Sequence, residues 1–211
     1  MDITALKIKN TSDKDLLVYL TLGSYPEGHV QDVNGIFGIS SDNPLQGSFT
    51  LTPNEKLEYT CPAELALSGN FAFGTPPLNC PTDQFPDGIN LFEFTLNNAK
   101  TGTGEQETVD ISCVAGANCL VRASLAGGGK WNASPLHPDV AEFENSEVYD
   151  NHGRVGVYPY GCDGCTEIKS PPECPDHPAY ALPQEHPICN VQRPAEDAGG
   201  FVFVEFVEYF G

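Results

Sequence analysis

Two carboxylates lie where a strand normally carries packing residues. Glu93 stands alone among apolar neighbours in LFEFTLN, residues 91–97, and Asp110 does the same in TVDISC, residues 108–113. Both runs read as strands, in which successive side chains alternate between faces. A pair of carboxylates on separate strands has three possible uses. They can face water on the polar side of a sheet, supply acceptors to a ligand, or work as acid and nucleophile in glycoside hydrolysis. Hydrolysis needs the two groups about 5–5.5 Å apart, or about 6.5–9.5 Å apart when a water attacks. One of them must also hold its proton near neutral pH, which burial or a second carboxylate can arrange.

The elements that position these acids follow from period-two patterning. Candidate strands are 3–9, 15–22, 48–52, 56–60, 70–74, 90–96, 107–114, 118–124, 154–159 and 201–209. DLLVYLTL, 15–22, is apolar on both faces, as a strand inside a sandwich is. In FVFVEFVEYF, 201–210, Val202, Val204 and Phe206 share one face with Glu208, and the other carries Phe201, Phe203, Glu205 and Val207. With 18 prolines, 21 glycines and few helical patterns, the chain is expected to be all-β, an antiparallel sandwich. Its 211 residues suffice for one large domain. Composition changes near residue 126, so 1–125 plus 196–211 is expected to form the sandwich and 126–195 an irregular, stapled insertion. The segment 126–160 is expected to be the most protease-sensitive.

Charge excludes some partners. Ten basic against 29 acidic residues give −19, which opposes nucleic acid and anionic membrane surfaces alike. No apolar run approaches the roughly 20 residues of a spanning helix. The eight cysteines are Cys61, Cys80, Cys113, Cys119, Cys162, Cys165, Cys174 and Cys189. With the sequons at Asn10 and Asn132 they favour an oxidising, secretory compartment. MDITALKIKN enters a strand without a signal-peptide pattern, so a mature, secreted chain with an added Met is expected.

Cys113 and Cys119 flank a turn containing Gly116 and Asn118 and are expected to bridge. GCDGCTEIKSPPECPDHPAYALPQEHPIC, 161–189, packs four cysteines and six prolines and cannot bury a core of its own. Its cysteines with His177 and His186 also have the spacing of a zinc site, but the compartment favours disulfides, and no metal or other cofactor is expected. AGGGK, 126–130, lacks the frame of a phosphate loop and reads as a flexible turn. His29, His137 and His152 sit in loop-like stretches and form no catalytic order. Trp131, Phe143, Tyr158 and Tyr160 could stack on sugar or simply pack the insertion.

Several stretches resemble the thaumatin-like family. LFEFTLN is similar to its LAEFxLN strand, VDISCVAGAN (109–118) to its xDISxxDGFN hairpin, and CPDHPAYALPQEHPIC (174–189) to its CPDAYSYxxDDxxxxxxC segment. They occur in the family's order, and FVFVEF stands where its closing strand does. The resemblance implies a thaumatin-like β-sandwich with a small disulfide-stapled region, and nested pairs Cys162–Cys189 and Cys165–Cys174, after which Cys61 and Cys80 remain as a pair that closes the loop before Glu93. It also implies an acidic cleft with Glu93, Asp110 and Glu185 among its lining. The departures are specific. The chain has eight cysteines against the family's sixteen or ten, the aspartate of DG is Ala115, and no arginine lies near 70–74, the first being Arg122. A binding cleft tolerates the loss of that aspartate; a catalyst does not. The implied function is a secreted, monomeric defence-type protein, antifungal in character, that binds β-1,3-glucan at a cell wall. A weak endo-β-1,3-glucanase using Glu93 and Asp110 is the alternative, and a toxin or interaction protein acting through 126–160 is a third.

Overall fold

The computed structural model describes residues 2–23, 38–40, 42–59, 66–78, 82–85, 88–98, 106–113, 116–135, 139–146, 167–168, 180–181 and 188–210. Among these residues fifteen strands follow one another: β1 Ala5–Asn10, β2 Leu16–Leu22, β3 Gly38–Ile39, β4 Gln46–Leu51, β5 Lys56–Tyr59, β6 Leu67–Phe73, β7 Leu91–Leu96 and β8 Gln106–Ser112. Then come β9 Cys119–Ala126, β10 Asn132–Pro135, β11 Glu142–Glu144, β12 Glu167–Ile168, β13 Tyr180–Ala181, β14 Ile188–Pro194 and β15 Phe201–Tyr209. A single 3-10 turn, Ala195–Asp197, is the longest helical element among the described residues. No helix among them is long and apolar enough to cross a membrane.

The strands form an eight-stranded sheet, β10-β14-β8-β7-β6-β2-β4-β3, and a five-stranded sheet, β11-β9-β15-β1-β5. β12 and β13 make a separate two-stranded ribbon. The expected all-β sandwich is what the chain forms. One pair departs from antiparallel order, because β1 runs parallel to β15. These strands come from opposite ends of the chain, so no short hairpin constrains their direction.

Period-two alternation closes the two sheets over one core. Leu6, Ile8, Val121, Ala123, Val202, Val204 and Phe206 point inward from the smaller sheet. Leu16, Val18, Leu20, Phe71, Phe73, Phe92, Phe94, Val109 and Ile111 meet them from the larger. Ring pairs cross the interface, with Phe73 5.7 Å from Phe206 and Phe92 6.5 Å from Phe143, centroid to centroid. Each such buried side chain contributes about 1.5–3 kcal/mol of transfer free energy.

The stretch read as an irregular insertion supplies strands to both sheets. β10 and β14 extend the larger sheet beside β8, and β11 forms an edge of the smaller one. Trp131 and Phe143 are buried in the core, so the packing role holds for both, while Tyr158 and Tyr160 lie outside the described residues. AGGGK is a packed turn rather than a flexible one. Gly128 has φ of +69°, and a Cβ there would stand 2.5 Å from Arg193 Nη1 and 2.6 Å from the Asp197 carbonyl. Gly200, also at φ +69°, leaves no room for a Cβ against the Ala126 carbonyl.

A buried ion pair ties this turn to both sheets. Arg193 Nε and Nη2 both stand 2.7 Å from Glu107 Oε2, and neither side chain is exposed. Arg193 Nη1 donates to the carbonyls of Gly127 and Gly129, and Nη2 to Thr4 Oγ1 and the Gly199 carbonyl. The Trp131 ring lies 4.3 Å from the guanidinium carbon. Glu107 Oε1 accepts from Thr4 Oγ1 at 2.8 Å and from the Asn97 N–H at 2.7 Å.

Two sequence expectations are corrected here. Cys113 and Cys119 are separate buried thiols. Cys113 leaves the larger sheet and Cys119 enters the smaller, where its Sγ donates to Asn90 Oδ1 at 3.4 Å. Burial pushes both thiols far above their ordinary range. Asn10 is fully buried, with its Nδ2 donating to the carbonyls of Lys14 and Leu51, so the folded chain offers no amide there for a glycan. Asn132, at the start of β10, is half-buried. Cys61, Cys80, Cys162, Cys165 and Cys174 lie outside the described residues, as does the side chain of Cys189.

Two outcomes are expected. Glu107→Gln should destabilise the fold by about 3–5 kcal/mol, because it strands a buried guanidinium, and Glu107→Gln with Arg193→Met should recover much of that loss. Urea unfolding measures both, and additive losses would remove the pair from this role. In the absence of reductant, maleimide should miss Cys113 and Cys119 in the folded chain and label them after unfolding. A chain that gains no reactive thiol on denaturation would restore the bridge.

Candidate functional site

The acids come together because β7 and β8 pair in one register. Phe92, Phe94 and Leu96 of β7 face the core, which turns Glu93 and Thr95 outward; Val109 and Ile111 do the same for Thr108 and Asp110 of β8. The antiparallel register then sets Glu93 directly opposite Asp110 and Thr95 opposite Thr108. On the other flank Asn70 of β6 stands opposite Glu93, and Thr21 of β2 opposite Asn70. Gln46 of β4 lies beside Thr21 and donates to its hydroxyl at 3.0 Å.

The result is a polar row across five strands, Gln46–Thr21–Asn70–Glu93–Asp110, with members about 4.8 Å apart at the backbone. A second row, Ser68–Thr95–Thr108–Gln192, runs beside it. Ser68 and Thr95 share a hydrogen bond of 3.1 Å. The central part of both rows floors an open cleft of about 430 Å³. Gly69 lets β6 approach β2 there, since a Cβ would overlap the Thr21 carbonyl.

The electrostatics follow from burial. Asp110 is pushed up to about 8, first by desolvation, then by the charge of Glu93 and the hydrogen bond between the two carboxyl groups. Glu93 is also raised by burial, partly offset by its bond to Asp110. A hydrogen bond between two carboxyl groups requires a proton, so the pair acts as one acid and titrates as a unit. Asp110 Oδ1 and Asn70 Oδ1 are buried without a hydrogen-bond partner. No Lys, Arg or His is among the described residues lining the cleft.

The sequence reading therefore placed Glu93 and Asp110, and the structure brings them together. Glu185 and Ala115 lie outside the described residues, as do all five histidines. Asn70 stands within the stretch where the resemblance called for an arginine. Arg122 is on the smaller sheet, paired with Glu144 at 2.7 Å. The hydroxyls of Ser68, Thr95 and Thr108 were missed, although Thr95 and Thr108 share parity with the acids and could have been found from it. Among the described residues no group of three or more His, Cys, Asp or Glu is placed to hold a metal ion.

No family model matches the chain, and no curated protein does. Among solved structures, the crystal structure of the protein elicitor MoHrip2 from Magnaporthe oryzae is similar over 97% of this chain and 99% of that one, with 8% identity and a TM-score of 0.42. The thaumatin-like xylanase inhibitor TLXI is similar over 96% of this chain and 99% of that one, with 12% identity and a TM-score of 0.41. At these values neither likeness says anything about activity.

Asp110 gives the site a pH signature. The folded chain keeps a proton that the unfolded chain loses near 3.8. The stability this proton brings is complete below about 3.8 and is lost as pH rises through about 8. Between about pH 5 and pH 8 the parent should lose melting temperature relative to Asp110→Asn, by about 2–4 °C for each kcal/mol at this chain length. Parallel pH profiles for the two proteins would show that the shared proton is not there.

Proposed function

We propose that this chain is a thaumatin-like, secreted, defence-type protein that binds polysaccharide of the β-1,3-glucan class in the cleft over Glu93 and Asp110. The carrying observation is the register that sets the two acids opposite one another on the floor of an open cleft, inside the two stretches that resemble the family most. The flanking hydroxyls of Ser68, Thr95 and Thr108 suit a polyhydroxylated ligand, since each can donate or accept. Cleft volume falls within the usual range for small-ligand sites, about 300–1,000 Å³.

Binding is favoured over hydrolysis by Ala115, which stands where the resemblance places the aspartate that would activate water opposite Glu93. The two carboxyl groups meet the ligand from one side, as joint acceptors.

Glu93→Gln is expected to weaken laminarin binding roughly tenfold, the weight of about one hydrogen bond to a charged group. Neither form should release reducing sugar. Affinity electrophoresis and a reducing-end assay separate the outcomes: turnover by the parent that Glu93→Gln abolishes would establish the glucanase, and unaltered binding in Glu93→Gln would move the ligand elsewhere.

A further inference from the structure

We infer that the cleft selects a saccharide carrying a protonated amine over a neutral one. This rests on the reading of the cleft as a saccharide site and ranks a neutral glucan below an amine-bearing saccharide there.

The floor offers acceptors in excess of donors. Across β6, β7 and β8 the register aligns Asn70, Glu93 and Asp110 in one row. The Oδ1 atoms on either flank of Glu93 are buried and have no partner. An unmet buried acceptor costs about 1–3 kcal/mol, and both of these belong to residues that line the cleft, so the row calls for a donor. A neutral hydroxyl brings one donor and two lone pairs, which meet the carboxylate as a further acceptor. An ammonium group brings three donors and no acceptor. It has one donor for each of the three side chains of the row.

Charge makes the same demand. The other described lining side chains, Thr21, Leu22, Ser68, Phe94, Thr95 and Thr108, carry no charge. The two described arginines are committed elsewhere, Arg193 to buried Glu107 and Arg122 to Glu144. Among the described residues, then, the carboxyl pair has only its shared proton as a counterion. A bound ammonium takes over that role, keeps its own proton, and sends the proton between Glu93 and Asp110 to the buffer. The net charge of −19 draws such a cation towards the protein before contact. The hydroxyl row of Ser68, Thr95 and Thr108 remains free to hold the ring hydroxyls beside the amine.

The test is calorimetric titration of the parent with short oligomers of glucosamine, their fully N-acetylated counterparts, and neutral laminari-oligosaccharides. At about pH 6 the amine is protonated. The glucosamine oligomer should bind at least about tenfold more tightly than either neutral ligand. It should release a proton, read as a heat that changes with the buffer; Asp110→Asn should abolish the release, and Glu93→Gln with Asp110→Asn should abolish the preference as well. Because Asn keeps the shape of Asp and removes a group that is costly to ionise, this variant should fold; melting confirms it, and Asn70→Ala, which should reduce the preference, is the second variant. Equal or tighter binding of the neutral glucan overturns the selectivity and leaves the saccharide cleft standing. No binding of any oligomer overturns both. A preference that survives Glu93→Gln with Asp110→Asn would belong to the acidic surface at large and would also overturn the inference.

Discussion

The ion pair between Arg193 and Glu107 governs how this chain closes. A guanidinium and a carboxylate taken wholly out of water each lose several kcal/mol of hydration, and their attraction repays this only when the remaining donors and acceptors are satisfied. Here they are. Thr4 just before β1, the Gly127–Gly129 turn after β9, and Gly199 just before β15 all supply partners to the same two side chains. These segments belong to the smaller sheet, whereas β8 and β14 belong to the larger. The pair therefore fixes how the sheets meet at one end. Apolar residues of similar volume could match its net energy but would not specify these four contacts.

The same strand that carries the lock also carries the cleft. Along β8, Glu107, Val109 and Ile111 face inward, and Thr108 and Asp110 face outward. A slip of one residue would reverse both sets, placing Asp110 in the core and Glu107 in water. Glu107 resists that slip because its carboxylate is held by Arg193, Thr4 and the Asn97 backbone at once. Since Asn97 immediately follows β7, the contact also anchors β7 against β8. The opposition of Glu93 and Asp110 is thus set from the far side of the sheet, by a buried charge that touches neither of them.

What could be read from the sequence follows from what period two encodes. The nine candidate strands that fall within the described residues match strands there to within a few residues, because each has a run of alternating apolar side chains. β14 was hidden inside a stretch dominated by Cys and Pro, and β10 inside one rich in Gly, Asn and Pro. Neither advertises burial locally; both are held by tertiary partners, β14 by Arg193 above all. Parity held a further signal. Glu107 shares the phase of Val109 and Ile111, so the pattern that turned Asp110 outward required an acid inside and hence a buried cation. Asn10 was misread for a related reason: a sequon reports three residue types and nothing of the two carbonyls its amide must satisfy. Cys113 and Cys119 are close in sequence, but the chain changes sheets between them.

The chemistry of the cleft depends on where the few cations were placed. Lys7 and Lys9 pair with Glu58 and Glu205 on the outer face of the smaller sheet, and Lys7 and Lys56 also lie over the rings of Phe201 and Phe203. Exposed pairs of this kind contribute at most about 1 kcal/mol each, so they temper a crowded acidic surface more than they hold the fold. Arg193 serves the core. Described residues therefore leave the cleft with two carboxyl groups side by side and no resident base to neutralise them, and burial, with the charge of the neighbour, keeps both from being ionised at once. The proton that Asp110 retains is the consequence. A site that must borrow a proton to exist in its empty form will favour whatever ligand can replace it, and this, rather than the number of acids in the sequence, gives the cleft its preference.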